Sequence, residues 1–135
     1  MAKCSCDSDV KAVLPCCGAS NVGQIANEAG KRLHVEGSAK FFCIAGGGGH
    51  VSGMIASVKG ADRVLVVDGC PVGCAKKCME AAGLSGYEHL VITELGIQKE
   101  HEFNIAEGDI EKAVAQCREK LLATAPKQGA GRRCR

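Results

Sequence analysis

Cysteine is the residue type in this chain with the chemistry to build a site, and 10 of the 135 residues are cysteine. Cys16, Cys17, Cys43, Cys70, Cys74 and Cys78 fall in the interior of the sequence, where most of the patterned segments lie. Thiolates are soft ligands, and four of them in a tetrahedral cage suit Zn²⁺ at Zn–S distances near ~2.3 Å. A secreted chain this rich in cysteine would usually be a small, loop-rich disulfide scaffold. Here the cysteines are embedded among strand and helix patterns in a chain long enough to fold without staples. In a reducing compartment such clusters bind metal or carry thiol redox chemistry.

The elements that must position these thiols can be read from hydrophobic periodicity. Arg63 to Asp68 (Arg-Val-Leu-Val-Val-Asp) is continuously apolar through its middle, the pattern of a parallel strand covered on both faces. Val10 to Pro15 reads as a first strand, Lys40 to Ala45 as a second and His89 to Leu95 as a fourth. Asn21 is placed to cap a helix, with Gln24 in capping-box position, and Val22, Ile25, Ala26, Ala29 and Leu33 recur at helical spacing behind it. Val51, Met54, Ile55 and Val58 give a short second helix. Pro71 is placed to open a third that runs to about Ala82, with Gly83 as its stop. Ile110, Ala113, Val114, Cys117 and Leu121 mark a last amphipathic helix from about Glu107 to Ala123.

Strands alternating with helices over short links predict an α/β fold: a three-layer, Rossmann-like, open and mostly parallel sheet of about four strands with flanking helices. One domain is expected over residues 10–125. A flexible tail over residues 1–9, carrying Cys4 and Cys6, precedes it, and a basic tail over residues 126–135, carrying Cys134, follows.

This arrangement makes the cysteine positions meaningful. Cys16 stands at the carboxyl end of the first strand, Cys43 near that of the second, and Cys70 just past that of the third. In an open parallel sheet these ends lie along one edge, where ligands bind. Cys74 follows Cys70 by one helical turn and is expected on the same side. The expected ligand set is therefore Cys16, Cys43, Cys70 and Cys74, with Cys17 and Cys78 as possible additional thiols. Asp68 and His50 are the candidates for support around the site. Asp68 could hold the cysteine loop through backbone amides, or simply face solvent at the strand end.

The stretches Cys16-Cys17-Gly18-Ala19-Ser20-Asn21-Val22-Gly23-Gln24-Ile25-Ala26-Asn27, Phe42-Cys43-Ile44-Ala45, Asp68-Gly69-Cys70-Pro71-Val72-Gly73-Cys74-Ala75-Lys76-Lys77 and Leu95-Gly96-Ile97-Gln98-Lys99 resemble the DGC-domain family, small prokaryotic proteins named for an Asp-Gly-Cys motif. The resemblance runs in order from about Val10 to Lys99. It implies a zinc site of four cysteines, carried over onto Cys16, Cys43, Cys70 and Cys74. A Ser is more usual where Cys17 stands, so Cys17 is open as a replacement for Cys16 or a supplement to it. Cys78 is an extra thiol of this sequence.

Other readings compete. A free cysteine can be a small buried hydrophobe; that is the reading adopted for Cys117, and it competes with the ligand role at Cys43. The same thiols could hold an iron–sulfur cluster or cycle through thiol–disulfide exchange. Cys70, Cys74 and Cys78, four apart, would then form one stripe on a helix. Gly46 to Gly49 before His50 reads either as an anion-binding turn or as a close passage of the chain; it lacks the ending of a phosphate-binding P-loop. His34, His89 and His101 are read as surface residues. A cysteine phosphatase would need an Arg six positions after its nucleophile to clamp the oxyanion, but Gly23 and Val22 stand there. Four thiolates leave no open position for a substrate water, which argues against hydrolytic zinc chemistry and for a structural, sensor or carrier role.

Bulk properties narrow the field. A formal net charge of +2 with interspersed acids and bases, and one Tyr, three Phe and no Trp, do not make a nucleic-acid surface. No apolar run approaches the ~20 residues of a membrane span, and the first residues lack the apolar stretch of a signal peptide. A cytoplasmic protein with a metal ion as its partner is the expectation.

Overall fold

The apolar run Arg63–Asp68 is the strand around which the rest is built. In the computed structural model, which describes residues 9–126, it is β3 of a four-stranded sheet in the order β2-β1-β3-β4, with every pair parallel. The other strands are β1 (Lys11–Pro15), β2 (Lys40–Phe41) and β4 (Glu88–Val91). The helices are α1 (Asn21–Val35), α2 (Ile44–Gly48), α3 (Ser52–Lys59), α4 (Cys74–Ala81) and α5 (Glu107–Ala123), and a 3-10 turn, Ile92–Leu95, follows β4. Nearly all of the two expected tails, with Cys4, Cys6 and Cys134, lies outside the described residues.

Period-2 alternation along the strands divides the core in two. Val13, Leu65 and Val67 pack under α1 and α5 with Ile25, Leu33, Ile110, Val114 and Leu121. Ala12, Leu14, Val64 and Val66 face the opposite way, onto Ile44, Val58, Ala75 and Met79. Both faces of the sheet are thus covered by helices, which makes three layers, and each fully buried aliphatic side chain contributes about 1.5–3 kcal/mol.

Strand order fixes where a ligand can enter. From β1 the chain steps outward to β2 through α1 on one face; from β3 it steps the other way to β4 through α4 on the other. Crossovers of one hand running in opposite directions require helices on opposite faces. The direction reverses between β1 and β3, which are paired from Lys11↔Arg63 to Pro15↔Val67. A crevice opens at such a switch point, outside the carboxyl ends of the two strands. Cys16 and Cys70 emerge there.

Four local expectations are corrected. The second strand stops at Phe41, and Gly46 to Gly48 are helical, the end of α2, whose sequence is Ile-Ala-Gly-Gly-Gly, with Gly49 as its C-cap; the chain does pass close to its neighbours there, since a Cβ on Gly48 would stand 2.9 Å from Cys78 Sγ. The fourth strand ends at Val91, because Ile92–Leu95 turns into the 3-10 conformation. Pro71 does not open α4. The chain first makes a turn closed by the Gly73 amide donating to the Cys70 carbonyl at 3.2 Å, and Gly73 at φ +69, a left-handed conformation that favours glycine, resets it into the helix. Cys70 therefore stands off the helix, and no three-cysteine stripe exists. Finally, Ser20, not Asn21, caps α1, its hydroxyl accepting from the Gly23 amide at 3.2 Å.

Candidate metal centre

A pocket of about 130 Å³ lies in the β1/β3 crevice, with Cys16, Cys70 and Cys74 in its lining. Cys16 follows β1 directly, its amide donating to the Val67 carbonyl at 2.7 Å, so the pairing with β3 fixes its backbone. Burial pushes the Cys16 thiol up from its ordinary value; the amides of Gly18 and Gly69 hydrogen-bond the sulfur and offset part of the rise, while the charges of Asp68 and Cys74 add to it. Cys70 is half-buried at the start of the Cys70–Gly73 turn, and Cys74 is the exposed first residue of α4.

Asp68 is buried, with 1 % of its surface exposed, and so is not a solvent-facing strand end. It accepts from the Ala75 amide at 2.8 Å, the Lys76 amide at 3.1 Å and His89 Nε2 at 2.7 Å. The residue at the cap position of α4 is Gly73, which has no side chain to cap with, and the strand-end carboxylate takes over that task from below. A carboxylate can only accept, so His89 carries its hydrogen on Nε2. His89 is thus tied into the site from β4 and is not the surface residue expected from sequence. Nothing local in the sequence signals the pairing.

Lys99 also lines the pocket, and its Nζ donates to Cys70 Sγ at 3.5 Å. Its backbone is held by Asn21, whose side-chain amide donates to the Gln98 carbonyl at 2.8 Å and whose Oδ1 accepts from the Glu100 amide at 2.6 Å. Asn21 therefore works outward from the first turn of α1 as a clamp on residues 98–100.

The remaining expected residues lie elsewhere. Cys17 is exposed and outside the pocket lining, in contrast to Cys16 beside it. Cys43 is exposed, at the residue preceding α2, and also outside the lining. His50 is exposed between α2 and α3, outside the lining, with φ +55. Cys78 is half-buried where α2 meets α4, and burial, then the Cys74 and Asp68 charges, push its thiol up. Cys117 is fully buried among the residues of α1 and α5.

The donor chemistry around the pocket is that of a thiophilic metal. The geometry is not that of a finished cage: among the described residues no three His, Cys, Asp or Glu side chains are grouped as metal ligands. In this conformation the four expected cysteines do not fit zinc as a set.

A family model for the DGC domain matches residues 12–117. The chain belongs to the DGC-domain family. It is 33% identical over 128 residues to the anaerobic and virulence modulator AnvM of Pseudomonas aeruginosa (strain PAO1), covering 95% of this chain and 94% of that one. No solved structure matches it.

In this DGC domain each letter of the motif has a separate physical task. Asp68 caps α4 and holds His89. Gly69 lies under the first turn of α1, where a Cβ would sit 2.6 Å from the Gly23 nitrogen, and its carbonyl accepts from the Thr93 amide at 3.2 Å. Cys70 then lines the pocket together with Cys16. Among the described residues no helix is long and apolar enough to cross a membrane.

Proposed function

We propose that this DGC-domain protein is a metal-responsive regulatory protein, not an enzyme, and that it takes one zinc ion at the carboxyl edge of the sheet through Cys16, Cys70 and Cys74, with Cys43 as the fourth ligand. The observation that carries this reading is that Cys16, Cys70 and Cys74, from two separate strand ends, line one small pocket at the switch point. A regulatory role is supported by the relative AnvM, which is named a modulator. Zinc with thiolates brings binding energy without redox chemistry of its own; in small peptides the apparent value is ~10–16 kcal/mol, more than enough to bias a local conformation.

The test is metal content of protein purified under reducing, oxygen-free conditions without added metal. About one zinc per chain is expected, with loss of zinc in Cys70→Ser and Cys74→Ser and retention in Cys117→Ser. Wild-type protein without zinc, or full zinc in the first two variants, overturns the reading.

One observation favours a second reading. Cys78, a thiol outside the four expected ligands, lies one helical turn beyond Cys74 on α4 and so adjoins the same site. An iron–sulfur or thiol-redox centre would use such a set. A brown preparation with stoichiometric iron and sulfide would select it.

A further inference from the structure

We propose that the crevice pocket holds a subsite for a small carboxylate ligand, in which Lys99 selects the charge, the Ser20 hydroxyl donates to the bound carboxylate, and Asn21 positions Lys99. The inference rests on the lining of the pocket and not on the zinc reading.

Three hydrogen bonds run from Asn21 to the two residues that flank Lys99. The Asn21 side-chain amide donates to the Gln98 carbonyl at 2.8 Å, its Oδ1 accepts from the Glu100 amide at 2.6 Å, and its own backbone amide donates to the Glu100 carbonyl at 3.0 Å. Asn21 is buried, so these bonds are made out of water, where they are stronger. Between them, Lys99 lines the pocket with its Nζ 3.5 Å from Cys70 Sγ. Among the described residues it has no carboxylate partner. The clamp thus fixes the backbone from which an unneutralised cation reaches the pocket.

Ser20 supplies a second donor. It lines the same pocket, is 6 % exposed, and its Oγ accepts from the Gly23 amide at 3.2 Å. Among the described residues the hydroxyl hydrogen itself has no acceptor. A hydroxyl can donate as well as accept, and a buried donor left unused is costly, so this one calls for an acceptor inside the pocket. Ser20 also caps α1, whose dipole favours negative charge at that end.

The rest of the lining sets the class of ligand. Phosphate sites favour the fork of an arginine, and no arginine lines this pocket. Asp68 lies in the lining too, with its oxygens committed to Ala75, Lys76 and His89, and its charge disfavours a multiply charged anion. One cation and one hydroxyl donor suit one carboxylate. At about 130 Å³ the cavity is well below the ~300–1,000 Å³ of a site for drug-sized ligands, so the ligand is small.

Cys70, in contact with Lys99, reports on the subsite. The experiment alkylates the full reduced chain, with chelator present, using iodoacetate or the neutral iodoacetamide, and reads each cysteine by peptide mass mapping. Both reagents meet the same thiol, so its ionisation cancels in the ratio of the two rates. Exposed Cys43, outside the lining, gives the reference ratio in the same sample. In wild type the ratio at Cys70 should favour iodoacetate over the Cys43 ratio by about threefold, the size of an exposed charge pair. The preference should shrink with added salt. It should vanish in Lys99→Met and fall by at least about half in Asn21→Ala, a change in charge selectivity that a loss of stability alone would not produce. Lys99→Met replaces an exposed side chain, so it keeps the test decisive where Asn21→Ala fails to fold. Equal ratios at Cys70 and Cys43 in wild type, or an unchanged preference in Lys99→Met, overturns the inference; a full preference in folded Asn21→Ala overturns the role given to Asn21. Because the chelator keeps zinc out, neither result depends on whether the chain binds zinc.

Discussion

Gly69 and Gly23 touch backbone to backbone: a Cβ on Gly69 would sit 2.6 Å from the Gly23 nitrogen and 2.7 Å from the Val22 carbonyl carbon. Those atoms belong to the first turn of α1 and cannot swing aside as a side chain could. Gly23 is itself pressed against Gly18, where a Cβ would lie 2.8 Å from the carbonyl oxygen. The loops that present Cys16 and Cys70 are therefore stacked through glycine on one helix end, and the pocket width depends on that stack.

Gly69→Ala should accordingly lower stability by about 1–3 kcal/mol, the range for inserting an atom into a packed site, and should speed alkylation of Cys16. Gly53→Ala is the comparison. A Cβ there meets nothing within 4 Å on exposed α3, so the variant should be neutral or stabilised by up to ~1 kcal/mol. Thermal melts and thiol labelling of the two variants check this; equal melting temperatures would mean the loops are not stacked as described.

Asp68 should matter to the start of α4 although it lies outside the helix. Asp68→Ala strips the Ala75 and Lys76 amides and His89 of their acceptor at a buried position. A cost of about 2–3 kcal/mol follows, from cap losses of up to ~2 kcal/mol and the larger worth of hydrogen bonds to charge. His89→Ala removes one of the three bonds and leaves both amides satisfied, so roughly 1 kcal/mol is expected. The discriminating readout is amide exchange at Ala75 and Lys76, faster in Asp68→Ala and little changed in His89→Ala. If both variants accelerate it equally, Asp68 holds the helix only by way of His89.

What the sequence disclosed follows the range of the interactions involved. β3 was legible because four consecutive apolar residues, Val64 to Val67, can be buried on both faces only in a covered parallel sheet. α5 was legible because its buried residues repeat at helical spacing. Phe41-Phe42-Cys43-Ile44 looked like a strand on local preference, but β2 is an edge strand of two residues and the chain turns away into α2. The start of α4 was misjudged because its cap is supplied by Asp68, outside the helix, and not by a neighbour of the kind that capping patterns describe. The Asp68–His89 bond spans 21 residues and the Asn21–Gln98 bond 77, separations at which no spacing rule operates. For Lys99 the resemblance of Leu95 to Lys99 to the family was the available signal, and it carried no role.

Cys117 tests the division between site thiols and core thiols by its pH dependence. It has no exposed surface, and burial alone pushes its thiol from the ordinary 9.0 up to about 12. The folded chain thus keeps this proton to about pH 12, while the unfolded chain releases it near 9.0. Between those values the unfolded state binds fewer protons than the folded one, so stability falls as pH rises, by up to ~1.4 kcal/mol per pH unit from this group alone. Below pH 9.0 the contribution is fully present and flat. Cys117→Ala removes the titration and leaves a small cavity, costing about 1–2 kcal/mol at pH 7. Urea unfolding of wild type and Cys117→Ala with reductant and chelator, at steps from pH 7 to pH 10.5, isolates the group because every other titration cancels in the difference. The gap between the two proteins should be constant to about pH 8.5 and then close, and native Cys117 should resist iodoacetamide throughout. A gap that stays constant to pH 10.5, or ready alkylation of Cys117 in the folded chain, would show that this thiol reaches solvent and would put it back among the candidate ligands.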